Sequence, residues 1–244
     1  MALGNPLIRK LELFGPLSDQ DKDILDAVVA HPRQVDTHQD LIREGESPSH
    51  VQLVFEGFAY RYKVLPDGKR SIFAYLVPGD FCDLNIFILK EMDHNIATLA
   101  PCRIVTIPRG RVLELTERPA IARALWWVTL VDEATLREWL VNLGRRDAES
   151  GIAHLFCEIH LRLASIGLAD GGEFQLPITQ NELADTVGLS SVHVNRSLQS
   201  LASRGLLKLN RSRVRIPDIK RLRDLCSFNP NYLHLDGGKE FNLE

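Results

Sequence analysis

The residues with the clearest chemical purpose lie between Ile178 and Leu207, where polar side chains recur at predicted helix starts. Thr179, with Glu182 three residues later, predicts a capping box that begins a helix. Gly188 can take the left-handed conformation that ends this helix, and Ser190 can cap a second one. Two short helices joined by such a turn predict a helix-turn-helix, whose second helix fits the major groove of DNA.

The start of the second helix carries side chains that can read base pairs. Arg196 is our first choice, because one guanidinium can donate to both O6 and N7 of guanine. Val192 suits contact with a thymine methyl group. The predicted base-contacting residues are Ser191, Val192, His193, Asn195 and Arg196. The residues predicted to contact phosphates, which fix register without reading sequence, are Thr179, Gln180, Ser190, Arg211 and Arg213.

Basic residues follow the second helix. From Arg204 to Arg223 the chain has eight basic residues and one acid, although the whole chain carries a net charge of −3. The alternation around Val214 and Ile216 predicts a small β-ribbon beside the helices. A solvated charged face is the alternative interpretation. A positive segment next to a recognition-type helix in an acidic protein favours phosphate contact instead.

The run from Thr179 through Gly188 to Arg196 resembles the winged helix of the Crp/Fnr family of bacterial transcription regulators. The resemblance implies a homodimer that binds a palindromic site on double-stranded DNA, with RNA polymerase as a further partner. It also implies an α+β fold with an N-terminal β-roll or jelly roll. The expected domains are the effector β-roll (1–118), a dimerisation helix (119–146), a winged helix-turn-helix (147–228) and a poorly ordered tail (229–244).

Short β-rich segments separated by turn residues support the β-roll, and residues 7–31 before them are predicted to be helical. The turn Pro66-Asp67-Gly68-Lys69 predicts a hairpin, because Asp-Gly tolerates the positive φ that strand twist requires. The predicted strands are 34–37, 40–43, 51–55, 58–65, 70–77, 96–99 and 103–107.

The resemblance weakens at the effector pocket. Cyclic-nucleotide-binding members place a carboxylate for the ribose and an arginine for the phosphate at positions that here hold Leu84 and His94. Cyclic AMP is therefore not the expected ligand, and residues 86–89 predict an apolar plug. A vestigial pocket, an apolar small-molecule effector and constitutive activity all stay open. The residues assigned to this pocket are Gly79, Asp80, Cys82, Asp83, Leu84, His94 and Asn95.

Residues 119–145 show helical periodicity with apolar side chains on most of the surface, and all three tryptophans lie here. A monomeric core helix is one interpretation. The length and the family resemblance favour a parallel, coiled-coil-like dimer, with Gly144 as the hinge to the DNA-binding domain. The residues predicted for the interface are Leu125, Val128, Asp132, Thr135, Leu136, Trp139 and Leu143.

The composition and sequence pattern argue against membrane, secreted and metal-binding proteins. The sequence has neither 18 uninterrupted apolar residues nor a signal-peptide pattern at its start, so we expect a cytoplasmic protein without membrane contact. Cys82, Cys102, Cys157 and Cys226 are far apart and match no zinc or haem motif, so we expect free thiols and no metal or cofactor. Cys82 and Cys102 are interpreted as buried small hydrophobes.

The rival hypothesis is a cupin-like metalloenzyme with a β-roll and a helical appendage. It requires a cluster of histidines with a carboxylate inside the barrel. His38, His50 and His94 are isolated in the sequence, so we expect no enzymatic activity. A cyclic-nucleotide sensor that does not bind DNA is a third alternative, and the complete helix-turn-helix pattern argues against it.

Overall fold

The computed structural model describes residues 4–84 and 88–235, which fall into two compact units. The first unit contains residues 4–62 and 74–133, and the second contains residues 63–73 and 134–233. The division falls inside one long helix, α4 (Pro119–Arg145).

The first unit begins with two helices within the segment predicted to be helical, 7–31. Helix α1 (Pro6–Leu11) is capped by the side chain of Asn5, which accepts hydrogen bonds from two backbone amides. Helix α2 (Asp19–Val28) starts at a capping box formed by Ser18 and Asp21. The cap at Ser18 sets a new helix start, which explains the break between the two.

Seven strands follow, and each begins and ends within two residues of its predicted position. They form a three-stranded sheet in the order β1-β7-β3 and a four-stranded sheet in the order β2-β6-β4-β5. The predicted turn at Gly68 (φ 82°) joins β4 to β5. The strands are β1 (Arg33–Val35), β2 (Asp40–Ile42), β3 (His50–Glu56), β4 (Ala59–Val64), β5 (Arg70–Leu76), β6 (Asn95–Thr98) and β7 (Cys102–Pro108).

The two sheets share one hydrophobic core. Leu53 and Ile104 come from the first sheet, Ile42 and Ile96 come from the second, and all four are at most 2% exposed in the same cluster. Helix α3 (Arg109–Thr116) and the first half of α4 extend this core with further buried side chains. Burial of these apolar side chains is the main stabilising contribution to the first unit.

The second unit is built around α5 (Ala148–Ser165), whose residues 151–160 are all buried. Helices α6, α7 and α8 pack against α5, and a four-stranded sheet in the order β10-β11-β9-β8 completes the unit. The remaining elements are β8 (Ala169–Asp170), β9 (Glu173–Gln175), α6 (Gln180–Val187), α7 (Ser191–Ser203), β10 (Lys208–Asn210), β11 (Arg213–Arg215), α8 (Ile219–Cys226) and a 3₁₀ helix (Pro230–Leu233).

Helix α4 ends at Arg145, as predicted, and the next helix starts where the Asp147 side chain accepts a hydrogen bond from Ser150 N at 2.8 Å. A hinge at Gly144 stays a prediction. One prediction for this part of the chain is wrong. The segment after residue 228 is not a loose tail over its whole length. Tyr232 and Leu233 are buried, because the 3₁₀ helix lies against the core of the second unit. Residues 236–244 of the predicted tail lie outside the described part of the chain.

Within residues 4–84 and 88–235, no helix combines the length and apolar character needed to cross a lipid bilayer.

Candidate nucleic-acid interface

The predicted caps position the two helices of the helix-turn-helix. The Thr179 hydroxyl accepts from Glu182 N at 3.2 Å, and the Glu182 carboxylate accepts from Thr179 N at 2.7 Å. Gly188 ends α6 with φ 66°, the left-handed conformation that was predicted. Ser190 then caps α7 by accepting from His193 N at 3.4 Å. These local bonds fix where α7 begins.

Helix α7 has one buried face and one open face. Val194 and Leu201 are fully buried on its inner face. Val192 is 67% exposed, and Ser191, His193 and Arg196 are also exposed, so four of the five predicted base-contacting residues lie on the open face. Asn195 is half-buried, and its Nδ2 donates to Gln180 Oε1 on α6 at 3.1 Å. The 13 residues of α7 make a rod about 20 Å long, which suits a major groove about 12 Å wide.

The wing carries the predicted phosphate-contacting arginines at its tip. Strands β10 and β11 pair with Asn210 opposite Arg213, so Arg211 lies in the turn between them, at φ 54°. Arg211 and Arg213 are exposed, while Val214 between Arg213 and Arg215 is fully buried. The alternation of the strand therefore points the arginines away from the core and toward solvent.

Acidic groups near the open face of α7 are engaged by other residues. Glu182 is 2% exposed and acts in the cap of α6. Asp185 on the same helix accepts from Arg70 Nε at 2.8 Å. Arg196, Arg211 and Arg213 are exposed on α7 and the wing, which favours contact with phosphate.

Gln199 is exposed three residues after Arg196 and so lies on the same side of α7. One feature of this part of the chain could not be predicted from the sequence. The pairing of Arg70 with Asp185 joins residues 115 positions apart, and no local pattern signals it.

A buried polar cluster supports the helices beneath this surface. The Glu158 carboxylate is fully buried and accepts from Trp139 Nε1 and from the Tyr232 hydroxyl, each at 3.0 Å. Burial raises the pKa of Glu158, and the nearby Arg162 opposes this rise. His154, also fully buried, stacks against Tyr232 with ring centroids 6.0 Å apart. The cluster joins α4, α5 and the 3₁₀ helix within the second unit.

The residues assigned to the effector pocket are occupied with contacts inside the first unit. Gly79 has φ 92°, and a Cβ there would lie 2.6 Å from the Pro6 carbonyl oxygen. Asp80 pairs with Lys10 of α1 and accepts from Val77 N at 2.8 Å. Cys82, Asp83 and Leu84 are at most 8% exposed, and burial raises the pKa of the Cys82 thiol. His94 Nδ1 lies 2.6 Å from Asp93 Oδ1, and Asn95 Oδ1 accepts from Glu44 N.

An arginine that no sequence pattern marks reaches this turn. Arg61 on β4 donates to the carbonyl oxygen of Cys82 at 2.8 Å and pairs with Asp132 at 3.0 Å. The prediction of an apolar plug fails for Ile88 and Leu89, which are 73% and 55% exposed, while residues 86 and 87 lie outside the described residues. The prediction that Cys82 and Cys102 are buried is confirmed, and Cys157 and Cys226 are buried as well.

The predicted dimer interface needs correction at three positions. Leu125 and Val128 are buried in the core of the first unit, and Trp139 is buried beside Glu158, so none of them is open to a second copy. Asp132 is paired with Arg61, and Thr135 is half-buried. Leu136 and Leu143 are 45% and 50% exposed. The apolar side chains of α4 that are most exposed are Trp126, Leu130 and Leu140, at 76%, 61% and 64%.

Two protein families match most of the chain. Residues 32–118 match the cyclic nucleotide-binding domain, and residues 136–225 match the Crp-like helix-turn-helix domain. The nitrogen fixation regulation protein FixK of Bradyrhizobium diazoefficiens is 29% identical over 176 residues, covering 71% of this chain and 73% of that protein. The transcriptional activator protein FnrL of Cereibacter sphaeroides is 29% identical over 199 residues, covering 80% and 79%.

Solved structures show the same fold. The structure of FixK2 from Bradyrhizobium japonicum superposes with a TM-score of 0.70 at 23% identity, covering 80% of this chain and 96% of that one. FnrL is named a transcriptional activator and FixK a nitrogen fixation regulation protein, so these two relatives are regulators and give no support to the metalloenzyme alternative.

Proposed function

Because the chain belongs to the Crp/Fnr family of DNA-binding transcription regulators, we propose that it acts as a homodimer on a palindromic DNA site. The observation that carries this proposal is the open face of α7, where Val192 and Arg196 are exposed beside the cationic tip of the wing. Each protomer places α7 in a major groove, and two-fold symmetry sets the half-sites about one helical turn, ~34 Å, apart.

Within each half-site we assign base reading to α7. Arg196 donates to guanine, Val192 contacts a thymine methyl, and Ser191 and His193 read neighbouring bases. Asn195 can join them only if it shares or gives up its bond to Gln180. Phosphate contacts come from Gln180 and from the cap residues Thr179 and Ser190, together with Arg211 and Arg213 of the wing.

The exposed apolar side chains of α4 supply the dimer contact in this proposal. Trp126, Leu130 and Leu140 follow spacings of four and ten residues, which places them on one face of a helix. Leaving such large apolar groups in water is unfavourable, and a second copy of α4 can bury them. A symmetric dimer of this kind presents two copies of α7 to DNA.

For control, we propose an effector other than cyclic AMP. The pocket positions hold Leu84 and His94 instead of a carboxylate and an arginine, and the guanidinium of Arg61 is already paired with Asp132. An anionic phosphate entering here would have to displace that carboxylate. RNA polymerase is the further partner we infer, since several relatives are named transcriptional activators.

The test is selection from a random double-stranded DNA library at ~0.15 M salt, because the affinity of such contacts depends steeply on salt. We expect a palindromic consensus. Arg196→Ala should weaken binding to that consensus by about 1–3 kcal/mol and change binding to random DNA little. Arg33→Ala removes an exposed arginine of β1 and serves as the matched control, with no expected effect on either. Equal losses on both DNAs would rule out Arg196 as a base reader.

A further inference from the structure

The second unit contains a cavity of about 100 Å³ that the proposed DNA contacts do not use. Its walls come from the end of α4, the start of α5 and the end of α6. The apolar lining includes Trp139, Leu143, Leu155 and Val187. Leu143 is half-exposed, which leaves a route from solvent.

A glycine keeps this cavity open. Gly151 lines the cavity and is buried within α5, and a Cβ added there would meet no atom within 4 Å. Glycine inside a helix is less favourable than alanine by about 1 kcal/mol. In the described part of the chain, no backbone atom lies close enough to Gly151 to require a glycine there. The absence of a side chain at Gly151 therefore only adds space to the cavity.

One end of the cavity is polar. Arg146 lines it and donates to Asn142 Oδ1 and to Glu138 Oε1, each at 2.7 Å. These two bonds use only part of the five N–H donors of the guanidinium. Asp147 also lines the cavity and accepts from Ser150. The carboxylates of Glu138 and Asp147 disfavour an anion here, while a neutral group that can accept and donate hydrogen bonds suits both Arg146 and Asp147.

We propose that this cavity is a binding site for a small neutral aromatic molecule, one ring in size, that carries a single hydroxyl or similar polar group. The ring lies between Trp139, Leu155 and Val187, beside the open space at Gly151, and the polar group faces Arg146 and Asp147. A cavity of this order of size accepts one benzene-like ring. The site is separate from the turn at residues 79–84, where the effector pocket was predicted.

A ligand in this site would contact the turn that joins the two DNA-binding helices. Leu189, in the turn between α6 and α7, belongs to the same cavity wall. A ligand that binds one arrangement of this wall better than another shifts the population of that arrangement. An effect on DNA affinity rests on the proposed function, whereas binding of the ligand does not.

Benzyl alcohol is the probe, and ligand-observed NMR on the full chain without DNA is the measurement. We expect saturable binding with a Kd on the order of 1 mM, given the ligand's size. Gly151→Leu should abolish binding by filling the cavity, and Gly151→Ala should weaken it at least about threefold while raising the melting temperature. Toluene should bind less tightly than benzyl alcohol, because it lacks the hydroxyl.

Gly144→Ala is the matched control, since Gly144 is also a helical glycine with open space at its Cβ and does not line the cavity. It should leave the Kd unchanged. Circular dichroism checks that each variant folds. If Gly151→Leu does not fold, Gly151→Ala still tests the proposal. Absence of binding to the unmodified chain at concentrations far above the expected Kd, or equal binding by Gly151→Ala, would overturn the proposal. Neither result would bear on the DNA selection experiment.

Discussion

His154 is a fully buried histidine whose protonation the fold resists. Its Nδ1 lies 3.1 Å from the Asn142 side-chain nitrogen, and its ring contacts Phe228 and Tyr232. Burial, with a smaller contribution from the charge of Arg146, lowers the pKa of His154 to about 3. The imidazole is therefore neutral in the folded protein at neutral pH.

This pKa predicts a pH dependence of stability. Between the ordinary pKa of about 6.5 and the folded value of about 3, the unfolded chain binds a proton at His154 and the folded chain does not. The contribution of His154 is fully present above pH 6.5 and is lost as the pH falls, by about 1.4 kcal/mol for each pH unit. Urea unfolding at a series of pH values measures it. His154→Asn keeps an acceptor for Asn142 and should flatten the slope, and identical slopes for the two proteins would contradict the assignment.

Gly79 is constrained by its backbone conformation and by a close neighbour. Its positive φ strains any side chain, and its Cβ position lies against the Pro6 carbonyl oxygen. Gly79→Ala should lower the free energy of unfolding by about 3 kcal/mol. The control is Gly68→Ala, with φ 82° and open space at its Cβ, which should cost only the backbone strain of about 1 kcal/mol. Equal losses in urea unfolding would mean that α1 yields to the added methyl group.

The roles of some of these residues could be predicted from the sequence, and the roles of others could not. Thr179, Gly188 and Ser190 act through neighbours within three or four positions, so their roles as caps are visible in the sequence. Arg61 and His154 acquire their partners only through tertiary packing, and neither stands out by spacing. The exposure of Leu125, Val128 and Trp139 was misjudged for the same reason, because periodicity shows which residues are apolar and not what covers them.

At the scale of elements, the 3₁₀ helix Pro230–Leu233 was missed, although its contacts matter for the second unit. The Tyr232 hydroxyl donates to the buried Glu158 carboxylate, and Leu233 is 1% exposed. The sequence around Asn229-Pro230 has the composition of a loop, and its only strong signal is a tyrosine and a leucine side by side. Elements that begin with a cap were predicted well, whereas this one is held by tertiary contacts.

Removing the Tyr232 hydroxyl should lower the free energy of unfolding. Tyr232→Phe leaves Glu158 without one of its donors in a buried site, so we expect a loss of about 1–3 kcal/mol in the free energy of unfolding. Tyr62→Phe provides the comparison, because its hydroxyl donates to the more exposed Asp40 at 2.8 Å. That variant should lose less than about 0.5 kcal/mol. Chemical denaturation of both variants decides the point, and similar small losses would show that Tyr232 holds the segment by ring packing alone.

At the scale of the whole molecule, the proposed dimer makes a prediction about assembly. If the exposed face of α4 forms the dimer, Trp126→Glu with Leu140→Glu should give a folded monomer by light scattering. Affinity for a palindromic site should fall about 100-fold or more, because the second half-site no longer benefits from linkage. Leu113→Glu, on α3 and 44% exposed, is the matched control and should remain dimeric. A dimer that survives the double substitution would place the contact elsewhere on the chain.

The burial of the 3₁₀ helix also determines where the chain can be shortened or fused to another protein. Because Tyr232 and Leu233 are part of the folded second unit, a fragment trimmed at the end of the winged helix, near residue 228, would lose part of its own core. Purification tags and fluorescent fusions belong after residue 235, beyond the last buried side chain that the structure describes. Limited proteolysis of the intact chain should spare the segment from Cys226 to Leu233.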